Sequence, residues 1–456
     1  MNDVYDHILD YVGNTPLIRL HSVTGDLKAT VYAKVEMLNP GASVKDRIAM
    51  KIIEDAEADG SLQPGGTIVE ATSGNTGAGL AMAAAVKGYK CVFVLPDKQS
   101  EEKRAALRAY GARVVVTPTN VEPDDPQSYY SVAKRIADET PGAFYANQYH
   151  NPSNPKAHEL STGPELYAQL DGRIDAFVAG LGTGGTLTGV GRYFKAQDPK
   201  IQLVGVDPVG SLYYDWFKVQ RMTRPYGYIL EGIGEDFLPT TMDFSNVDDL
   251  VRVHDTECFQ MTRRLAQEEG LFVGGSCGAA VAGALRWVRD HDREGLVVVV
   301  LLPDSGSRYL SKIYSEAWME SHRYLEPIPE LGTLKDFMAT GACHEGALAH
   351  DLDAADALDQ MRAQGRASMP IAQHGEIFGV VHERDLGQAS TLGVTKGTPL
   401  SGHAADDYCT VAPGDDLILV SELLTKYSLA VICDGKNVLG SVCAEDLNND
   451  EGAGDE

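Results

Sequence analysis

Between about residue 30 and residue 310, apolar strand-like runs alternate with helix-like segments, and this alternation limits the fold more than any other feature of the chain. Residues 67–71 read as a strand followed by a helix over 76–87, and 91–95 as a strand followed by a helix over 101–110. Further strands are expected at 113–117, 174–179, 203–206 and 296–302. Strands and helices taken in turn predict an α/β fold on mostly parallel sheet. The most apolar stretch, 295–302, is too short to cross a bilayer and reads as a buried parallel strand. The loops after the strands are rich in Gly, Ser and Thr, at the sheet edge where open α/β folds bind ligands.

A Pro/Gly-bearing linker, Glu326-Pro327-Ile328-Pro329-Glu330-Leu331-Gly332, ends this region. An internal repeat follows. His374-Gly375-Glu376-Ile377-Phe378-Gly379-Val380-Val381 leads to Asp385-Leu386, and Asp434-Gly435-Lys436-Asn437-Val438-Leu439-Gly440-Ser441-Val442 leads to Asp446-Leu447. Helix-like stretches at 355–364 and 417–427 precede the two copies. Each copy is too small for a full core, so the two are expected to pack as a pair. The expected organisation is a first domain over 1–325, a linker over 326–334, repeat domains over 335–390 and 391–447, and an acidic tail over 448–456.

The 456 residues carry 39 Lys and Arg against 65 Asp and Glu, a net charge of −26. That excess opposes a grip on nucleic acid or on an anionic membrane surface, both of which need clustered cations. It serves solubility, with adaptation to high salt as the alternative. A chain of this length buries enough core to need no disulfide or metal staple. Seven scattered cysteines without a CxxC pair suggest reduced thiols and a cytoplasmic location. The start, Met1-Asn2-Asp3-Val4, lacks the basic and apolar regions of a secretion signal.

Four stretches carry candidate chemistry. In Asn39-Pro40-Gly41-Ala42-Ser43-Val44-Lys45-Asp46-Arg47 a turn runs into a helix start with Lys45 in its first turn. A helix N-terminus and desolvation both lower a lysine pKa and make the amine nucleophilic; the plain alternative is a solvated lysine on a capped helix. Thr72-Ser73-Gly74-Asn75-Thr76-Gly77 offers backbone N–H groups and short hydroxyls to a carboxylate, beyond what capping requires. Gly180-Leu181-Gly182-Thr183-Gly184-Gly185-Thr186 suits a phosphate. It also satisfies GxGxxG with Asp207 beyond the next strand, so a nicotinamide dehydrogenase is carried as an alternative. Against it, the motif lies mid-chain and leaves the other loops idle. Gly274-Gly275-Ser276-Cys277-Gly278 aims a hydroxyl at a heteroaromatic ring nitrogen, or is a glycine-rich turn.

Together these are the handles of pyridoxal phosphate carrying an amino acid. With Val12-Gly13-Asn14-Thr15-Pro16-Leu17 and Pro303-Asp304-Ser305, the chain over roughly 5–320 resembles the β-replacement family of pyridoxal-phosphate enzymes with the tryptophan-synthase β fold, or fold type II. The resemblance implies two open, mostly parallel sheet subdomains followed by a smaller α+β module. It implies that Lys45 forms the internal aldimine and acts as general base. By the same resemblance Asn75 contacts the ring hydroxyl, Gly182, Thr183, Gly184, Gly185 and Thr186 hold the phosphate, and Ser276 faces the pyridine nitrogen. A hydroxyl there leaves the ring nitrogen neutral, which suits β-elimination through an aminoacrylate. Thr72, Ser73, Gly74, Thr76, Gln148, Tyr149 and Glu231 are the implied substrate contacts.

Within the family, Glu231-Gly232-Ile233-Gly234 and Gln148-Tyr149-His150-Asn151-Pro152-Ser153-Asn154-Pro155 are similar to the cystathionine β-synthase branch, and the C-terminal repeat resembles tandem CBS domains. The branch implies condensation of L-serine with L-homocysteine, with hydrogen sulfide release from cysteine as a side activity. It implies a homodimer, extended to a tetramer through the CBS pair. The haem ligands of animal synthases have no counterpart, since the first cysteine is Cys91; no haem is expected. Glu235 stands where some synthases have tyrosine. The CBS pair departs as well, with His382 and Cys443 three residues before the acidic positions Asp385 and Asp446, where nucleotide-binding members have Thr or Ser. S-adenosylmethionine on Asp385 and Asp446 and a purely packing role are both carried. The functional alternatives are O-acetylserine sulfhydrylase and a cofactor-retaining sensor. Serine's hydroxide leaves poorly and needs an acid; Glu231 and Tyr149 are the candidates to support it.

Overall fold

The computed structural model describes residues 4–448 apart from 73, 120, 122–124 and 394. Its contacts divide the chain into two compact units, one of residues up to 208 with 229–326, the other of 209–228 with 327–456.

The first unit holds two sheets. In the four-stranded sheet the order is Arg113–Thr117, Lys90–Pro96, Thr67–Ala71, Ala143–Tyr145, all parallel. In the six-stranded sheet it is Leu17–Arg19, Thr30–Val35, Val297–Leu302, Ala176–Gly180, Gln202–Pro208, Asp249–Val253, with only the first pair antiparallel. Val297–Leu302 lies between two parallel neighbours and is buried along nearly its whole length, as its unbroken apolar run predicts. Helices Lys45–Asp59 and Asn75–Lys87 pack through Ile48, Ile52, Ile53, Leu80 and Ala83 into one core with Ile68 and Phe93. From Thr76 to Ala84 the second of these helices is buried without a break, which is why it is apolar all round there.

A buried ion network fixes the start of the Lys45 helix. The Arg47 guanidinium donates to Glu36 at 2.8 Å from both Nε and Nη2, and to Glu165 at 2.6 and 2.7 Å. Lys34 Nζ donates to Glu165 at 2.9 Å and to the Thr15 carbonyl at 2.7 Å. Thr15 also donates to Glu36 at 2.7 Å, and the Gly13 N–H donates to Asn39 at 2.8 Å. The Gly13-Asn14-Thr15-Pro16 stretch therefore clamps the lysine motif from outside the sheet. Burial alone would raise the Glu36 carboxyl, but the charge and hydrogen bonds of Arg47 bring it below its ordinary value.

The second unit is built on one seven-stranded sheet. Its two halves are hairpins, Ser368–Gln373 with Glu376–His382 and Leu429–Asp434 with Asn437–Val442, each antiparallel. They are the two copies of the repeat. His374 and Gly375 both have positive φ, the signature of a type I′ turn, whereas in the second copy Gly435 alone does, ahead of Lys436. The helices Ala354–Ala363 and Leu417–Leu424 cover the two halves through Leu358 and Met361, and through Leu419 and Leu423.

Residues 209–228 lie inside the stretch 1–325 that sequence alone treats as one domain, yet they cluster with 327–456. The buried Asp215 carboxylate, on helix Tyr213–Val219, accepts from the Thr410 N–H at 3.0 Å and its hydroxyl at 2.5 Å, and from Thr223 Oγ1 at 3.0 Å. The Tyr226 ring lies edge-on to Tyr427 at 4.7 Å. No helix among the described residues is long and apolar enough to cross a membrane.

Candidate active site

Lys45 is the first residue of its helix. The preceding Val44 N–H donates to the Pro303 carbonyl at 2.8 Å, so the helix starts from the C-terminal edge of strand Val297–Leu302. Lys45 lines a pocket together with Gly180, Gly182, Thr183, Gly184, Thr186, Gly232 and Ile233. Burial lowers the Lys45 pKa, and the charges of Asp304, Glu235 and Glu36 oppose it. The amine is thereby moved toward its neutral, nucleophilic form.

The glycine loop faces Lys45 across this cavity and opens helix Gly185–Gln197. Gly184 has φ +75°, a left-handed conformation that other residues adopt only at a cost. A Cβ on Gly185 would stand 2.0 Å from Asn154 Oδ1. Asn154 in turn donates to Thr183 Oγ1 at 2.9 Å, and Thr241 donates to the Thr183 carbonyl at 2.6 Å. Thr186 Oγ1 lies 3.1 Å from His158 Nε2; burial, with Lys45 and Arg47, holds that imidazole well below its usual pKa and so neutral. The result is a braced loop of backbone N–H groups at a helix N-terminus, a place that favours an anion. Gly185→Ala is expected to weaken cofactor retention at least tenfold while the rest of the chain stays folded, read by equilibrium dialysis of pyridoxal phosphate, since about 1.4 kcal/mol suffices.

In the carboxylate loop, Thr72 Oγ1 accepts from the Gly74 and Gly77 N–H groups at 3.0 and 3.2 Å, bracing the turn. Thr76 donates to Gln148 at 2.6 Å, and Gln148 Nε2 to the Ala71 carbonyl at 3.1 Å. Ser73 lies outside the described residues. Asn75 donates to Asp304 at 2.8 Å and accepts from Arg308 Nη1. Ser276 is buried in the first turn of helix Gly275–His291, and a Cβ on Gly232 would stand 3.8 Å from its Oγ. Tyr149 is buried with its hydroxyl 3.2 Å from that of Tyr129.

Glu231 is buried between two lysines, paired with Lys103 Nζ and, at 2.5 Å, with Lys312 Nζ. Burial alone would raise its carboxyl, but the two ammonium groups bring it below the ordinary value. Its carboxyl is thereby held in the ionised form at neutral pH. In the second unit, Asp446 accepts from His344 Nε2 at 2.9 Å and from the Cys443 N–H at 2.8 Å, whereas Asp385 is half-exposed beside Arg384. His382 bridges Ser368 at 2.8 Å and Asp407 at 2.7 Å.

Sequence reasoning gave no role to Asp304 or Arg308. Asp304 accepts from Asn75 and from the Tyr309 hydroxyl at 2.7 Å, and its charge steadies the Lys45 ammonium. Arg308 ties Asn75 to the Gly41 carbonyl of the lysine motif. The signal was the Pro303-Asp304-Ser305 stretch, whose partners lie far away in the chain.

The sequence profile of the family "Pyridoxal-phosphate dependent enzyme" matches residues 8–304. The chain belongs to the pyridoxal-phosphate-dependent enzymes. The cystathionine beta-synthase of Apis mellifera is 46% identical over 323 residues, covering 70% of this chain but 64% of that protein, under two thirds of its length. That of Dictyostelium discoideum is 36% identical over 465 residues, covering 97% of this chain and 92% of the relative. The crystal structure of O-ureido-L-serine synthase superposes with a TM-score of 0.63 at 40% identity, over 70% of this chain and 99% of the other. This pyridoxal-phosphate enzyme is closely related to cystathionine beta-synthase and carries an extra C-terminal α+β module consistent with CBS domains. Its chemistry is that of a pyridoxal-phosphate-dependent lyase.

Proposed function

We propose that this chain condenses L-serine with L-homocysteine to L-cystathionine and water. The observation that carries the reading is the shared cavity of Lys45 and the braced glycine loop, within a chain collinear with a cystathionine beta-synthase over 97% of its length. Bound pyridoxal phosphate supplies the electron-withdrawing ring that acidifies the serine Cα–H and lets the β-substituent leave. Gly182, Thr183, Gly184, Gly185 and Thr186 hold its phosphate, and Ser276 sets a neutral hydroxyl against the ring nitrogen. Asn75 would contact the ring hydroxyl. Thr72, Ser73, Gly74, Thr76 and Gln148 grip the substrate carboxylate, with Tyr149 beside them. Lys45 Nζ removes the α-proton and returns it to the product. The reading assigns no haem, and it extends to hydrogen sulfide release from cysteine.

The protein is placed in the cytoplasm, which its seven free cysteines favour. The proposed assembly is a homodimer, extended to a tetramer through the C-terminal pair. Sensing of S-adenosylmethionine by that pair rests on Asp385, whose carboxylate is half-exposed, since His344 and the Cys443 N–H engage Asp446.

The test is mass spectrometry of the products from serine plus homocysteine, with O-acetylserine plus sulfide run beside it. Cystathionine in the first mixture is expected. Cysteine in the second mixture alone would make the chain an O-acetylserine sulfhydrylase instead.

A further inference from the structure

Serine's hydroxide must leave as water, and Glu231 has no proton for it. A different carboxyl stands near the reaction. Glu235 follows the Glu231-Gly232-Ile233-Gly234 turn, and the Gly234 N–H is pinned to the Leu181 carbonyl of the phosphate loop at 2.6 Å. The Tyr130 hydroxyl reaches Glu235 Oε2 at 3.5 Å. Tyr129 donates to Tyr130 at 2.5 Å, and the Tyr149 hydroxyl lies 3.2 Å from that of Tyr129. Tyr149 adjoins Gln148, the partner of Thr76 in the carboxylate loop. Phe237 packs edge-on against Tyr130 and Tyr149 at 5.3 and 5.4 Å, fixing both rings. The hydroxyls of Tyr149, Tyr129 and Tyr130 thus form a continuous row that ends on the Glu235 carboxyl.

We propose that Glu235 is the proton store of the reaction, acting through the hydroxyls of Tyr130, Tyr129 and Tyr149. It deepens the β-replacement reading and rests on it. When the serine Cβ–O bond breaks, the oxygen takes a proton relayed from the Glu235 carboxyl and departs as water. When the homocysteine sulfur bonds to Cβ, its proton returns along the row to the Glu235 carboxylate. One proton leaves and one comes back, so the cycle needs no other donor.

The electrostatics agree with the geometry. Burial and the neighbouring Asp236 push the Glu235 carboxyl well above the usual range, against the opposing effects of Lys98, the Tyr130 hydrogen bond and Lys45. The three phenols are pushed up too, so they stay protonated and able to relay.

The experiment compares two reactions on Glu235→Gln holoenzyme. Acetate leaves O-acetylserine without an acid, and hydrosulfide attacks without a base, so that pair makes no demand on Glu235. Serine with homocysteine makes both demands. The ratio of the second rate to the first is expected to fall by about 100-fold or more, the range of general acid–base catalysis. Glu235→Asp should restore much of the ratio, and Tyr130→Phe, which keeps the acid and cuts the row, should lower it. Infrared difference spectra of wild type minus Glu235→Gln at pH 7 should show a protonated carboxyl band. Equal loss in both reactions, or absence of that band, would overturn the inference. If the wild type forms no cystathionine, it is the underlying reading that fails; if it does and the ratio holds, only Glu235 is misassigned.

Discussion

Lys45→Ala is expected to remove the visible absorption of the bound cofactor and to lower cystathionine formation by about 10³-fold or more. Two losses combine. The covalent anchor for the cofactor disappears, and so does the base for the α-proton, a role worth roughly 10²–10⁴ in rate. Stability should change little. The lysine sits at the first turn of its helix, where alanine is a good helix former. Absorption spectra and turnover on the same preparation check this. Retained colour with retained turnover would remove Lys45 from the chemistry altogether.

Arg47→Ala, only two residues away, is expected to behave in the opposite way, with a large loss of stability. Its guanidinium neutralises Glu36, whose side chain has no exposed surface, and shares Glu165 with Lys34. Removing it strands a fully buried carboxylate, which costs about 3–5 kcal/mol. Denaturant melts of the two proteins at pH 7 should differ by that amount. The pH dependence should differ as well. In the wild type the Glu36 carboxyl lies below its unfolded value, so its contribution is present above the unfolded pKa and lost as pH falls through the folded one. In Arg47→Ala that contribution is gone, so the gap between the two proteins should narrow on acidification. A gap that stays constant as pH falls from 7 through the folded Glu36 value would show that Arg47 acts through packing instead.

Most of the catalytic unit was legible because its signals are local. Strand 67–71, strand 113–117 and the helices that follow their neighbours appear almost where periodicity sets them. The glycine loop was legible because its glycines are closely spaced and open a helix directly after a strand. The supporting shell was not. Arg47 meets Glu165 across more than a hundred residues, and Asn75 meets Arg308 across more than two hundred. Charged side chains at such separations read as solvated surface until the fold brings them together. The ion pairs of Glu231 were hidden for the same reason: Lys103 and Lys312 are connected to it by no spacing. The helix Tyr213–Val219 gave no warning either, since an aromatic-rich turn fits any core equally well.

That helix changes what a boundary means in this protein. The linker near residue 326 invites a cut that would leave the catalytic residues whole. Such a cut would strip residues 209–228 of their contacts with the C-terminal repeats. The Asp215 carboxylate would lose both bonds from Thr410, Tyr226 would lose the Tyr427 ring, and the Val219 side chain would lose the cluster it shares with Tyr408 and Val431. The loosened loop would hang between Pro208 and Ile229, one residue from Leu230 and two from Glu231. A shortened chain therefore reports on a damaged enzyme, and its behaviour is no measure of what the C-terminal pair does for the intact one.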